Sequence, residues 1–371
     1  MKHHPLQTHT PSASRLDSEP FAPFPNRASS LQADLKHSTG RRSPLRSAQF
    51  QAQDRTMATT GQPLVGADWL YQLQLKKDSI RAIASTSFDL VTIDYSQDGS
   101  QQTAYTREDL DVLHASGKTV LAYLSIGEAE DYRYYFKDRW VTKDPKTGLK
   151  QPDKDAPAWL GRTNPQWRGN YKVKYWNAEW QSIVLGYVDR ILNAGFDGVY
   201  LDIVDGFEYW SQQNNGESVT LSRRKAANRM ISLVETIAQH TRIDKGQSSF
   251  HIVPQNAETI LKYDRDGSYL KTISGIGVED VFYDETHRQP QSEVNYRLPW
   301  LQQIRDAGKP VLSVDYVDTN GNSNLVYEGK NLERINLFRD LAIAQDFIPY
   351  VAKRDRELNE IVTIPGIQPN P

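Results

Sequence analysis

The 371-residue sequence contains no cysteine, so it has no disulfide framework, no thiolate nucleophile and no cysteine zinc site. The redox compartment is therefore unreadable. No apolar run approaches the length of about 18 residues that a membrane span requires, and the amino terminus lacks the apolar core of a signal peptide. No membrane span is expected. A basic excess is also missing: net charge is -2, and the first 60 residues carry 8 Lys and Arg against 4 Asp and Glu, which leaves the remainder near -6. Nucleic acid is not an expected partner, because binding it needs a basic stripe that displaces counterions. A slightly acidic surface suits neutral or cationic ligands, and equally suits ordinary solvation.

What is abundant is aromatic: 8 Trp and 19 Tyr within a hydrophobic content of 38%, enough to fill a large core and leave rings over. The rings are not spread evenly. Residues 1–60 hold 6 Pro and 8 Ser with no period of 2 or 3.6, a composition that buries too little apolar surface to offset ordering. They read as a disordered leader, with residues 61–371 as the folded unit. Met57 near the end of that leader makes an upstream start an alternative to a functional tail.

From Leu64 onward, short β-rich runs alternate with amphipathic stretches, the pattern of repeated βα units around a parallel sheet. Eight strands are expected at residues 69–73, 90–95, 119–126, 198–204, 250–254, 275–281, 310–314 and 347–352. Helices are expected at 107–116, 179–194, 221–241, 292–307 and 331–345. In the second of these, Ile183, Val184, Tyr187, Val188, Ile191 and Leu192 form one apolar stripe. Gly117, Gly195 and Gly308 each follow a helix and precede a strand, as left-handed caps do. Eight strands in this alternation, with no GxGxxG after the first, favour a closed (β/α)8 barrel over an open dinucleotide-binding sheet. No cofactor is expected.

The connection at residues 130–178 breaks the rhythm, since such loops usually span a few residues. It holds Trp140, Trp159, Trp167 and Trp176, with Trp180 just inside the next helix, and Tyr132, Tyr134, Tyr135, Tyr171 and Tyr175. Flat rings on a loop above an active face are what sugars stack on, although half or more of these are expected to pack the insertion down. Trp167 and Trp176 are the candidate sugar contacts.

Barrel enzymes take their catalytic groups from the carboxyl ends of the strands, and here those ends are acidic. Asp94 and Tyr95 close the second strand, Glu128 follows the third, and Asp202 and Asp205 follow the fourth. Asn256 and Glu258 follow the fifth, Glu279 and Asp280 the sixth, and Asp315 and Tyr316 the seventh. Carboxylates without a histidine array or a serine elbow point to glycosidic cleavage, in which one carboxylic acid protonates the leaving oxygen and a second carboxylate works on the other face of the sugar. Octahedral Mg2+ sites also use such groups, but the histidines have no ligand spacing, so no metal is expected. On residue type alone Asp202, Glu128 and Glu279 rank equally. Asp205 is equally readable as a helix cap, and Asp94 as a group that keeps its strand in register.

The segments VTIDYS (91–96), AYLSIGEAEDYR (122–133), NPQWRGNYKVKYWNAEW (164–180), GFDGVYLDIVDGFEYW (195–210), IVPQNAE (252–258), GVEDVFYD (277–284) and VLSVDYV (311–317) together resemble glycoside hydrolase family 114, the endo-α-1,4-polygalactosaminidase group. Some relatives carry the label cysteinyl-tRNA synthetase-related protein, an activity for which this chain has neither an adenylate-binding motif nor zinc ligands. The resemblance implies a (β/α)8 barrel that hydrolyses α-1,4-linked galactosamine or N-acetylgalactosamine polymers, with Asp202 and Glu258 as the catalytic pair. Asp94, Tyr95, Glu128, Asp205, Asn256, Glu279, Asp315 and Tyr316 are then expected to bind substrate or orient the pair. A non-catalytic polysaccharide-binding barrel and a hydrolase for another sugar polymer are the competing readings. The resemblance also suggests a secreted or envelope protein, which the missing signal peptide opposes, so the compartment stays open.

Overall fold

The computed structural model describes residue 64 and residues 68–75, 79–320 and 326–369. The expected leader at 1–60 lies outside them. Each of the eight expected strands is present: β1 (Trp69–Gln72), β2 (Leu90–Asp94), β3 (Thr119–Ser125), β4 (Gly198–Asp202), β5 (His251–Pro254), β6 (Ile276–Glu279), β7 (Val311–Asp318) and β8 (Ile348–Lys353). The strands β1 to β5 form one parallel sheet in sequence order, and β6, β7 and β8 form a second. A parallel bridge from Gln255 to Gly277 connects β5 to β6.

Among the described residues no ladder hydrogen bonds join β8 to β1; side chains and the segment after β8 lie between them. The Tyr350 ring lies 5.8 Å from that of Trp69, while the carbonyl of Leu358 accepts from the N–H groups of Leu73 and Gln74 at 2.9 and 3.2 Å. Gln368 then ties this segment back to β8, accepting from Val351 N at 2.7 Å and donating to Val351 O at 3.0 Å.

A short helix not expected from sequence, α1 (Ser79–Ala84), precedes five that follow the sequence pattern closely: α2 (Arg107–Ala115), α3 (Ala178–Ala194), α4 (Arg223–Ala238), α5 (Gln291–Asp306) and α6 (Gly329–Ile343). Thr106 and Asp109 build a reciprocal capping box at the start of α2, and Asn177 caps α3. The three helix-closing glycines all have left-handed backbone, Gly117 at φ 83°, Gly195 at φ 99° and Gly308 at φ 75°, so a side chain there would be strained.

Alternation along the strands puts large rings on one side of the sheet. Trp69, Tyr71 and Tyr200 meet at 5.2–6.0 Å, and Gly277 leaves room for the Tyr200 hydroxyl, which a β-carbon at that position would overlap. Each fully buried ring contributes about 1.5–3 kcal/mol. These rings form a floor, and the strands' carboxyl ends rise just beyond it.

Between β3 and α3 the insertion forms its own small antiparallel sheet, from Glu128–Glu130, Asn170–Val173 and Leu160–Thr163, plus a hairpin of Val141–Lys143 and Lys150–Pro152. Most of its rings are packing groups. Trp140, Trp159, Tyr171 and Tyr175 are buried, and Trp159 meets Trp140 edge-on and Trp180 at a tilt, with centroids 5.4 and 4.9 Å apart.

Candidate active site

Asp202 ends β4 opposite Ser125 of β3. Its Oδ1 accepts from the Ile203 N–H at 2.7 Å and its Oδ2 from the Tyr123 hydroxyl at 2.5 Å. Ile203 itself has φ 58°, a costly conformation for a β-branched residue, and Gly127 lets the β3 loop press against the Ile203 carbonyl. Burial pushes the Asp202 carboxyl well above the usual carboxylate range. The Tyr123 hydrogen bond opposes that rise, and the charges of Glu279 and Asp205 add to it.

Glu279 ends β6. One carboxylate oxygen accepts from the Tyr316 hydroxyl in a short hydrogen bond and the other from Asn256 Nδ2 at 3.2 Å, while the Glu279 N–H donates to Asn256 Oδ1 at 3.0 Å. Asn256 makes this clamp from a left-handed backbone, φ 55°. Asp205 stands at the cap position of a short helix, Gly206–Tyr209, yet its side chain makes no capping bond, which removes the structural reading of this residue. It keeps exposed surface while set deep among other groups. Partial desolvation by those groups pushes its carboxyl up to about 7, opposed by Lys172 and reinforced by Glu208, Glu128 and Glu279.

The remaining acidic candidates are tied down. Glu258 is buried and gripped by Arg297 of α5 through Nε at 2.6 Å and Nη2 at 3.4 Å. The same guanidinium donates to the Glu279 carbonyl at 2.8 Å. Glu128, wholly buried, is ion-paired with Lys172 and accepts from Asn164 at 3.0 Å and Asn170 at 3.2 Å. Asp94 takes two 2.7 Å bonds from Arg133, which also grips Glu130 at 2.7 Å. Asp280 is held by Arg356 at 2.8 Å. Asp315 accepts three main-chain N–H bonds, from Val281, Phe282 and Tyr283 at 2.8–3.1 Å, and so shapes the loop after β6. Burial pushes its carboxyl up to about 7, against the pull of those bonds.

Of the residues expected from sequence, the structure brings together Asp202, Asp205, Asn256, Glu279 and Tyr316. It puts Glu258 behind Arg297. Asp94 belongs to the Arg133 cluster, and the Tyr95 ring is buried against Tyr187 at 5.4 Å rather than presented on the rim. Trp167 is half-buried; so is Trp176, whose ring meets Trp210 edge-on at 5.0 Å and carries Arg229 over its face at 4.8 Å. Sequence reasoning missed Tyr123 and Arg297. Strand alternation places Tyr123 beside Ser125 and Asp202 and was the available signal for it; Arg297 carries no such signal. Among the described residues no group of three or more His, Asp or Glu side chains is arranged to hold a metal ion.

A parallel α/β scaffold whose strand ends converge on desolvated carboxylates is the plan of a glycoside hydrolase. The chain matches the model of glycoside-hydrolase family GH114 over residues 48–368, and it belongs to that family. It is 43% identical over 295 residues to the uncharacterized protein MJ1477 of Methanocaldococcus jannaschii, covering 80% of this chain and 78% of that one. It is 41% identical over 313 residues to an uncharacterized protein of Thermotoga maritima, covering 84% and 88%. Among solved structures it is similar to Aspergillus fumigatus Ega3 in complex with galactosamine, with TM-score 0.56, 20% identity and coverage of 84% of this chain and 99% of that one. The glycoside hydrolase domain of PelA from Pseudomonas aeruginosa gives TM-score 0.53 and 16% identity, with coverage of 79% and 96%. At these identities the likeness is one of fold.

Proposed function

We propose that this protein hydrolyses an amino-sugar polysaccharide of the α-1,4-galactosamine or N-acetylgalactosamine type, in a catalytic unit of residues 61–371 whose eight strands close into a (β/α)8 barrel. The observation that carries this is Asp202: a carboxyl at the end of β4, desolvated, anchored by Tyr123 and facing further negative charge. A carboxylic acid kept protonated near neutral pH is what glycosidic cleavage needs, because the leaving oxygen must gain a proton as its bond to the anomeric carbon breaks. Water then supplies the new oxygen at that carbon and gives up its proton to the second, ionised carboxylate. An acidic rim also attracts the ammonium of a deacetylated amino sugar. The family resemblance and the galactosamine bound by Ega3 support the sugar class.

The resemblance pairs Asp202 with Glu258. The Glu258 carboxylate is buried, and both its oxygens are taken by Arg297. The test is to count reducing ends released from a panel of polymers, with α-1,4-galactosaminan in both acetylation states, by the wild type and by Asp202→Asn. Release by the wild type and none by the variant is expected. An inert wild type, or a fully active variant, overturns the reading.

A further inference from the structure

Among the rings of the insertion, only Tyr132 is exposed. It follows the strand Glu128–Glu130, with 46% of its surface in solvent. Its orientation reverses that of an ordinary surface tyrosine, which packs its ring and gives its hydroxyl to water. The Tyr132 hydroxyl instead donates inward at 2.5 Å to Glu130, which is 4% exposed, so the ring is what solvent meets. Satisfying Glu130 needs only that hydroxyl, and Arg133 already holds the other carboxylate oxygen at 2.7 Å. An apolar ring face left in water costs free energy, which the needs of the fold do not explain.

The ring is also held still. The Arg133 guanidinium lies against one face at 4.9 Å, and Gly99, in the loop after β2, comes so close to the ring's edge that a β-carbon there would overlap it. Arg133 is itself fixed by Asp94, Glu130 and the Tyr187 hydroxyl. What remains open is the opposite face of a ring whose rotamer freedom is already lost. Such a plate takes a ligand without the ordering cost that a free surface side chain incurs.

The plate stands beside the site. Asp94 of β2 lies in register with Tyr123 of β3, and Tyr123 donates to Asp202 at the end of β4. Arg133 joins Asp94, so Tyr132 sits over the ends of β2 and β3, on one flank of the acidic trio Asp202, Asp205 and Glu279. The charges of Asp202 and Glu130 both act on the buried Tyr123 hydroxyl, which marks the two carboxylates as neighbours.

We infer that Tyr132 is a sugar-binding platform, on whose open face one pyranose unit of the polymer lays its C–H groups while the linkage beyond that unit lies over the acidic trio. This rests on the hydrolase reading above for the identity of the polymer. A pyranose fits because one side of it is an apolar plate of the ring's size, while its hydroxyls point outward and stay wet. The closed cluster of Asp94, Glu130 and Arg133 is then the mount of the platform.

The experiment measures by calorimetry the affinity of α-1,4-galactosaminan, in both acetylation states, for Asp202→Asn protein, alone and with Tyr132→Phe, Tyr132→Leu or Tyr132→Ala added. Melting curves accompany it, and steady-state kinetics follow the same Tyr132 substitutions with Asp202 intact. Tyr132→Leu and Tyr132→Ala are expected to weaken binding about tenfold and to raise KM by the same factor, the loss falling on KM rather than kcat. Tyr132→Phe keeps the plate and drops the hydroxyl, so it is expected to restore binding to within about twofold. Leucine keeps apolar bulk without a flat face and carries the test if the alanine variant melts early. Undiminished affinity in both Tyr132→Leu and Tyr132→Ala, or a loss in Tyr132→Phe as large as in Tyr132→Ala, overturns the platform while wild-type cleavage leaves the hydrolase reading standing. Binding that depends on the Tyr132 ring in a protein that cleaves neither polymer overturns the hydrolase reading and keeps the platform. Failure to bind either polymer overturns the platform.

Discussion

Two arcs of the same acidic rim treat charge in opposite ways. At the ends of β2 and β3, Asp94 and Glu130 enclose Arg133, whose side chain is 3% exposed, and its Nη1 also donates to the Tyr187 hydroxyl at 3.0 Å. At the ends of β4 and β6, Asp202, Asp205 and Glu279 act on one another electrostatically, with no direct ion pair to any of them among the described residues and only the more distant charge of Lys172 opposing Asp205. The first arc is closed and satisfied, so it serves the fold. The second is open and electrostatically unfinished, which costs stability and leaves a task for a substrate.

The sharpest way to test this contrast is to remove one charge from each arc and see which property fails. Asp202→Asn is expected to lower turnover by about 10⁴-fold, with the melting temperature unchanged or raised, because a desolvated carboxyl has been replaced by a neutral group of the same shape. Arg133→Met is expected to do the reverse at the level of the fold: two buried carboxylates lose their partner, at a cost of about 3–5 kcal/mol. Denaturant unfolding checks it, and full stability in that variant would erase the distinction between the arcs.

Proton linkage gives the next effect. The Asp315 carboxyl titrates near 7 when folded and near the ordinary carboxylate value when unfolded, so its protonated form stabilises the native state at low pH. That contribution fades as pH rises through about 7. Asp202 and Asp205 shift in the same direction. Melting temperature is expected to fall by a few degrees between mildly acidic and mildly alkaline buffer, and to fall less in Asp205→Asn. The same substitution removes a negative charge that holds the Asp202 proton, so the alkaline limb of kcat/KM should move down by about half a pH unit, the size of a Coulomb effect across several ångströms. A limb that stays in place would separate Asp205 from the trio.

The smallest expected change is at the insertion. Trp176→Ala should raise KM on long polymers several-fold and leave kcat alone, since the ring is half-buried and already braced by Trp210 and Arg229. Loss of kcat there would extend the open arc into the insertion.

How the sequence relates to this picture differs from residue to residue. Strands, helices and the three closing glycines were readable because period and cap chemistry are local. Asp202 was readable as a strand-end acid, and its partner Tyr123 follows from strand alternation. The division of the rim was not. Arg133 lies 39 residues from Asp94, Lys172 lies 44 from Glu128, and Arg297 lies 39 from Glu258, on a helix with a largely polar sequence. Which acid receives a cation is decided by tertiary placement, and no spacing encodes it. The insertion's rings were ambiguous for a related reason: a tryptophan that stacks on a sugar and one that seals a loop have the same hydropathy and differ only in what lies on the far face.

The peptide that follows β8 has a further consequence. Leu358 holds both N–H groups just beyond β1, and Gln368 clasps Val351 from the other side, so the first and last strands are linked by a strap and a ring contact rather than by ladder hydrogen bonds. A protease nick within 354–369 should therefore release two distant strands at once, whereas a nick in the hairpin of the insertion would loosen only local packing. Fusions and tags placed on that strap carry the same hazard.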